Sequence, residues 1–183
     1  MEYLGRKVTP KKWEVTEYTG SDGVRADAIT IDLKTDSDEV STWLCEATLS
    51  DSAEGEHDHK DVENVVLLFA AVMERLDKVS LVLLPYGDCH KAGCTVQQTP
   101  ENGFTEIDDL KPRHHDIQQL DMSRLCWLAN TIAKAVRDDN GLLVLYSKRQ
   151  VADIVWQAIR DNRLSTDDLR EKMRTELIKL KQG

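Results

Sequence analysis

The chain has 183 residues, of which 40% are hydrophobic and 31% are charged, and its formal net charge is −9. These are values of a folded globular protein, and a chain of this length buries about 70% of its unfolded surface without disulfide bonds. The negative charge argues against a surface built wholly for nucleic acid, which is bound through Lys and Arg.

The sequence predicts neither a usual secretion signal nor a membrane span. The first residues contain no apolar signal-peptide segment, and no later segment reaches the roughly 18 apolar residues of a membrane span. Four cysteines are scattered over different predicted elements, unlike the framework of a small secreted domain: Cys45, Cys89, Cys94 and Cys126. We therefore expect a soluble cytoplasmic protein with one domain over residues 1–183.

The first third of the chain predicts three strands. A basic lead that contains Arg6 and Lys7 is followed by β-forming residues 13–18, then by the alternating residues 26–34 and by residues 40–49. The connections are too short for crossover helices, so we expect an antiparallel meander.

The stretch 61–85 predicts the core of the fold. Nine consecutive apolar residues, 65–73, predict a helix that is covered on both sides, and Asp61 is its predicted N-cap. The apolar run 79–84, closed by Pro85, is typical of a central strand.

The next region predicts a short edge strand, a long loop and a helix. Residues 94–98 have the edge-strand pattern, and residues 99–115 form a loop. The helix begins near His115 or Asp116, with a second capping position at Asp121, and stops at Asn140–Gly141.

The C-terminal region predicts a buried strand and two helices. Residues 142–146 have the pattern of a doubly buried strand, and residues 151–160 that of a helix. Ser165 and Asp168 resemble a capping box that opens the last helix.

These elements predict an α/β fold, in which a mixed sheet of five or six strands is flanked by helices. The N-terminal strands form its antiparallel part. The strand-helix-strand passages should be right-handed crossovers, so the buried strands 79–84 and 142–146 are expected to be parallel.

Three strands followed by a helix and a strand resemble the core of the PD-(D/E)XK nuclease-like proteins. The resemblance covers residues 13–84 and places Asp32 in the second strand and Glu46 in the third. In that family such carboxylates hold Mg²⁺, and a Lys two residues after the second acid positions water. The resemblance thus implies a metal-dependent nuclease with catalytic and metal-binding roles for Asp32 and Glu46.

The motif departs from the family pattern in two ways, since no Pro precedes Asp27 or Asp32 and the position of the Lys is also changed. Thr48 stands where the family has Lys, and Lys34 or Lys60 are the substitutes the sequence offers. The alternative interpretation is that Asp32 and Glu46 are solvent-facing strand residues.

Histidines and cysteines form three short clusters, at His57 and His59, at Cys89, His90 and Cys94, and at His114 and His115. Zinc needs four close ligands from paired short spacings, which these spacings do not supply, so ordinary loop and core residues are the alternative. A Cys-His nucleophile is a further hypothesis for the second and third clusters.

The pair His115-Asp116 also spells the HD motif of metal phosphohydrolases. The proteins it resembles are all-helical, whereas the first half of this chain is rich in predicted strands. We therefore place His115 at the start of a helix, where Asp116 favours the helix dipole.

The last helix, within residues 165–183, has a narrow apolar stripe that is typical of docking or self-association. The stripe consists of Leu169, Met173, Leu177 and Leu180. The alternative is that it packs on its own domain.

In the absence of a complete catalytic set, the sequence favours an interaction or accessory component of a larger assembly, with a protein partner or as a homo-oligomer. No cofactor is expected, except Mg²⁺ for the nuclease alternative. A third hypothesis is a small-molecule site at the loops 86–115, where open α/β sheets bind ligands.

Overall fold

The computed structural model describes residues 1–15, 23–33, 38–47, 60–103, 107–138 and 141–182. Six strands, β1 to β6, lie at Glu2–Lys7, Val40–Glu46, Val79–Pro85, Thr95–Gln98, His114–Gln118 and Leu143–Tyr146. Six α-helices, α1 to α6, lie at Ala26–Asp32, Lys60–Ala71, Tyr86–Lys91, Met122–Arg137, Lys148–Arg160 and Glu171–Gln182. Short 3-10 helices occupy Pro10–Lys12, Pro100–Asn102, Asp108–Arg113 and Thr166–Asp168.

The six strands form one sheet in the order β4-β5-β2-β1-β3-β6, and every pair of neighbours is antiparallel. The predicted α/β fold, in one domain with helices around a six-stranded sheet, is therefore confirmed, but the predicted mixed sheet is wrong. β2 and β3 run in the same direction, because both are antiparallel to β1. β1 lies between them, so the crossover through α2 does not make them neighbours.

β1 lies in the middle of the sheet, although its basic residues did not suggest a strand. Tyr3 is buried on one face of the sheet and Leu4 on the other, whereas Arg6 and Lys7 follow in the same strand. A Cβ on Gly5 would lie 3.2 Å from a methyl of Val65, so glycine lets α2 pack closely on the strand. The basic lead thus contains a strand. The residue pattern did not predict this strand, because one of its inward-facing positions is Gly5.

The sheet has an apolar cluster on each face. One cluster joins the sheet to α2, α5 and α6, through residues such as Val65, Leu81 and Val155. The other joins it to α1 and α4, with Leu84 and Leu128 among its members. Both faces of β3 are covered, as the unbroken apolar run predicted.

The predicted N-terminal meander is wrong. Residues 26–32 form α1, in which Ala28 and Asp32 face inward and Ile31 is 56% exposed. A short apolar run does not distinguish a helix from a strand by its period alone. Residues 13–15 are not a strand, and residues 16–18 lie outside the described part of the chain, as does the end of the predicted third strand at residues 48–49.

The predicted helix start at His115 is also wrong, since residues 114–118 form β5. The second predicted cap is confirmed: the Asp121 side chain accepts a hydrogen bond from Arg124 N–H, and α4 begins at Met122. The predicted loop 99–115 holds two 3-10 helices before β5.

Further on, the capping box of Ser165 and Asp168 is confirmed, but it opens a 3-10 helix, and α6 begins only at Glu171. β6 is antiparallel to β3 and lies at the edge of the sheet, so it is not the doubly buried parallel strand that its apolar residues predicted.

Candidate functional site

Asp32 is the last residue of α1, and the residue is only 7% exposed. Its Oδ2 accepts a hydrogen bond from Thr9 N–H at 2.7 Å and another from Trp13 Nε1 at 2.8 Å. Oδ1 accepts a bond from the Thr9 hydroxyl at 3.2 Å and lies 4.0 Å from Lys12 Nζ. The carboxylate therefore ties the segment after β1 to α1.

Glu46 ends β2 in an exposed position, far along the sheet from Asp32. The guanidinium of Arg6 donates hydrogen bonds to the carbonyl oxygens of both Asp32 and Ser41, so Asp32 lies near the start of β2. Ser41 and Glu46 are five residues apart in one strand, which is about 16 Å at the usual rise. The structure does not bring the two predicted catalytic acids together.

An open cleft with a volume of about 660 Å³ lies at the Glu46 end of β2. Asp61 and Arg113 form an ion pair on its lining, and Asp61 Oδ2 also accepts a hydrogen bond from Glu46 N–H at 2.7 Å. Burial alone would raise the pKa of Asp61, but the bonds from Arg113 and from the Glu46 amide lower it below its ordinary value. The lining is rich in charge: Met1, Glu2, Leu44, Cys45, Glu46, Ala47, Asp61, Asn64, Asp109, Pro112 and Arg113.

His114 and Asp116 form a buried polar network with the turn after β4. The Thr99 hydroxyl donates to Asp116 Oδ2 at 2.8 Å, and Asn102 Nδ2 donates to the same oxygen at 2.9 Å. Burial would raise the pKa of Asp116, but these two bonds lower it. His114 Nδ1 lies 3.0 Å from the Thr99 carbonyl oxygen, and burial lowers the pKa of the imidazole. His115 points to the other face, towards Tyr86.

The clusters at Cys89, His90 and Cys94 and at His114 and His115 do not form a metal site within the described part of the chain. Among the described residues, no group of three or more His, Cys, Asp or Glu side chains could hold a metal ion. Cys89 is buried, and burial raises the pKa of its thiol to about 12, which disfavours a nucleophilic thiolate. His57 and His59 lie outside the described residues.

The apolar stripe of α6 faces its own domain. Leu169, Met173 and Leu177 are buried in the cluster shared with α2 and α5, whereas Leu180 is 39% exposed. Most of the predicted docking stripe is therefore occupied within the chain.

β6 offers an open edge that the sequence pattern did not distinguish from a central strand. Leu83 N–H donates to the Leu142 carbonyl oxygen at 2.8 Å, and the register places Leu81 opposite Val144. Backbone groups of successive strand residues point to opposite sides. Val144 therefore bonds to β3, and the N–H and C=O groups of Leu143 and Leu145 point away from the sheet.

No hydrogen bond joins these outward groups to another residue in the described part of the chain. The side chain of Leu145 is 60% exposed, and residues 142–146 carry no charge and no proline. The opposite edge strand, β4, has the polar sequence Thr95-Val-Gln-Gln98.

Charges of opposite sign flank β6. Asp138 is exposed at the end of α4, before the strand, and Lys148 and Arg149 are exposed in the first turn of α5, after it. Lys148 Nζ pairs with Glu176 at 2.8 Å, whereas Arg149 makes no ion pair within the described residues. The sequence shows an apolar segment between acidic and basic residues. It does not show that this strand lies at the edge of the sheet.

Comparisons with models of protein families, with curated proteins and with solved structures found no match. None of the helices in the described ranges is long and apolar enough to cross a membrane.

Proposed function

We propose that this protein is an interaction component that binds an extended strand of a protein partner at the free edge of β6. The observation that carries the proposal is the row of outward N–H and C=O groups on Leu143 and Leu145, in a strand without charge. Such an edge is a template for a further strand, because main-chain hydrogen bonds supply affinity whatever the partner sequence.

Proteins usually protect an edge strand with charged residues, proline or a bulge. Residues 142–146 contain none of these residue types, and the exposed Leu145 adds apolar surface beside the free backbone groups. The polar β4 at the other edge is a poorer template. The contrast between the two edges favours β6 as the binding strand.

The proposed interaction surface lies on β6, whereas the sequence favoured the last helix, α6. Leu169, Met173 and Leu177 are covered by the chain itself, so a partner would have to displace α6 to reach them. β6 needs no such rearrangement, since no other strand of the described sheet pairs with its outer side.

Proline substitution tests the edge directly. Leu145→Pro removes an outward N–H without breaking a bond to β3, because the Leu145 amide is not part of that ladder. Val96→Pro is the matched control: Thr99 N–H bonds to His114, so the register turns the Val96 amide outward at the other edge. Circular dichroism checks that both variants fold.

We expect Leu145→Pro to abolish association of the full chain, with itself or with proteins captured from its native extract, and Val96→Pro to leave it intact. Equal association in both variants would overturn the proposal.

A second candidate function is binding of a small molecule in the cleft between Glu46 and Arg113. Its volume, about 660 Å³, lies within the range of ligand sites. Acidic side chains outnumber cationic groups on its lining, which favours a cationic or polar ligand. A panel of small organic cations should raise the Tm of the native chain more than that of Glu46→Gln; equal shifts would exclude this role for Glu46.

The nuclease alternative gains no support, because the Asp32 carboxylate already accepts hydrogen bonds from Thr9 and Trp13. Cleavage of DNA or RNA that required Mg²⁺ and was lost in Glu46→Gln would revive it.

A further inference from the structure

We propose that Cys89 and Cys94 are a redox-active pair of thiols, which a peroxide oxidises to an intrachain disulfide. The pair lies between α3 and β4, at the opposite edge of the sheet from β6, and does not depend on the proposed function. Two observations support it. The backbone folds back on itself between the two residues, and both side chains are buried in the same apolar cluster.

A Schellman motif at the end of α3 brings the two residues together. Cys94 N–H donates to the Cys89 carbonyl oxygen at 3.0 Å, and Gly93 N–H donates to the His90 carbonyl oxygen at 2.9 Å. Gly93 has a φ of 79°, the left-handed conformation that is typical of this motif. The residues that correspond to Cys89 and Cys94 in such a motif commonly have side chains in contact.

The separation of the two residues suits a disulfide. The hydrogen bond of 3.0 Å and standard backbone bond lengths place their Cα atoms at most about 7 Å apart. Disulfides usually join Cα atoms that are about 4.4–6.8 Å apart. Burial, and then the neighbouring Cys94 thiol, raise the pKa of Cys89, as expected when two such groups lie close together.

The other two cysteines have no such neighbour among the described residues. Cys45 is buried in the cluster on the opposite face of the sheet, and Cys126 is exposed on α4. The geometry therefore selects one pair out of four cysteines.

Cys94 is the thiol that a peroxide meets first, because it is 4% exposed, whereas Cys89 is fully buried. Burial raises the pKa of the Cys94 thiol, but the guanidinium of Arg124 opposes this rise. The Cys94 sulfur attacks one oxygen of hydrogen peroxide and the O–O bond breaks. The products are the sulfenic acid of Cys94 and one water, which takes up the thiol proton.

Cys89 completes the disulfide in a second step. Its sulfur attacks the sulfenic sulfur of Cys94, the S–O bond breaks, and the Cys89 proton leaves with the hydroxide as a second water. Overall, two thiols lose two electrons and one peroxide is reduced to two waters. Cys89 is a weak nucleophile, because burial raises the pKa of its thiol to about 12, so this step depends on the proximity that the motif provides.

Peroxide treatment of the folded full chain tests the pair. The exposed Cys126 is first replaced by Ser, so that it cannot react itself. After catalase has removed the peroxide, the chain is unfolded, its free thiols are alkylated with iodoacetamide and its mass is measured. We expect Cys89 and Cys94 to escape alkylation and dithiothreitol to restore both. Trypsin cuts after Lys91, so the disulfide should join two tryptic peptides.

Cys45 is the internal control, since it is buried and burial raises the pKa of its thiol to about 12 as well, but it has no partner thiol nearby. It should remain open to alkylation. Cys89→Ser should stop the reaction at the sulfenic acid of Cys94, which dimedone traps. Cys94→Ser should leave Cys89 reduced under the same treatment.

A glycine variant separates the motif from mere closeness in sequence. Gly93→Pro should slow disulfide formation at least about tenfold, because proline cannot adopt a φ of 79° and lacks the N–H that bonds to His90. Gly141→Pro makes the same change at another left-handed glycine, before β6, and should not slow it. Circular dichroism checks that each variant folds.

Three results would overturn the inference. The first is a treated chain in which all three remaining thiols are still alkylated, and the second is oxidation that dithiothreitol does not reverse. The third is a rate of disulfide formation in Gly93→Pro equal to that of the parent chain. None of these results bears on the edge of β6, so the proposed function is tested separately.

Discussion

Replacement of Asp32 by Ala should destabilise the fold by about 2–3 kcal/mol, which would mark this acid as structural. The Asp32 Oδ2 atom accepts from Thr9 N–H and from Trp13 Nε1 at 2.7 and 2.8 Å. Loss of an acceptor leaves a buried donor unsatisfied at a cost of about 1–3 kcal/mol. Thr9 is exposed, so water can replace its bond, whereas Trp13 is fully buried and accounts for most of the cost.

Two further variants separate the loss of the acceptor from the loss of the charge. Asp32→Asn keeps one oxygen at the position of Oδ2, so we expect a cost of about 1 kcal/mol. Asp27→Ala removes a partly exposed acid of the same helix, whose ion pair with Arg25 is worth less than about 1 kcal/mol.

Equilibrium unfolding in urea, followed by tryptophan fluorescence, measures the series. An Asp32→Ala variant within about 0.5 kcal/mol of the native chain would refute the assigned role. An equal loss in Asp27→Ala would refute it too, because the effect would then not depend on the buried donors.

Two other predictions concern the sheet. The unfolding free energy should fall as the pH drops below about 6.5, the ordinary imidazole pKa, because burial lowers the pKa of His114 and the unfolded chain binds the proton first. His114→Gln should flatten this slope in urea titrations between pH 7 and 5, and the exposed His90→Gln should not; equal slopes would contradict the explanation. Gly5→Val should cost about 1–3 kcal/mol by overpacking against Val65, whereas Gly87→Val, with open space around it, should cost little in the same assay. Equal losses at the two glycines would contradict the close approach of α2 to β1.

The stretch from α2 to β3 was predicted well because its composition leaves few alternatives. A helix with many consecutive apolar residues and an unbroken apolar strand both need cover on two sides. α2 packs against both the sheet and α5 within the first cluster, and β3 is covered by a cluster on each face. Capping residues were informative only in part. Asp121 caps the start of α4, but α4 ends at Arg137, before the predicted stop at Asn140–Gly141, and Asp61 lies inside the first turn of α2, which begins at Lys60. These signals are local, so the sequence expresses them directly.

The pairing of the strands was not local, and there the prediction was wrong. β1 carries Gly5 and Arg6 and therefore lacks the apolar pattern of a strand, so no strand was predicted there. Without β1, no predicted strand separated β2 from β3. β5 was not predicted as a strand, because two of its inward-facing positions are occupied by the buried polar residues His114 and Asp116 instead of apolar residues. Residues 142–146 have the same composition whether the strand is central or at an edge, so the free backbone groups could be seen only in the structure.

The relative position of the candidate catalytic acids, Asp32 and Glu46, was also predicted wrongly. The pattern around Asp32 fits a strand and a helix equally well, and the strand assignment was the basis of its pairing with Glu46. Once residues 26–32 are helical, the backbone carries the two side chains to different parts of the molecule. The cleft beside Glu46 depends on Arg113 and Asp61, which come from distant segments.

The central place of β1 has a consequence for how the chain folds. Its partners are residues 43–46 on one side and residues 81–85 on the other, so the middle of the sheet closes only over long sequence separations. Contacts of this kind slow folding, because the entropy of loop closure must be lost before they form. During synthesis, Tyr3 and Leu4 emerge about eighty residues before their partners in β3 are available. We expect refolding on the millisecond-to-second scale of non-local β-sheets, with late completion of the sheet around its earliest strand.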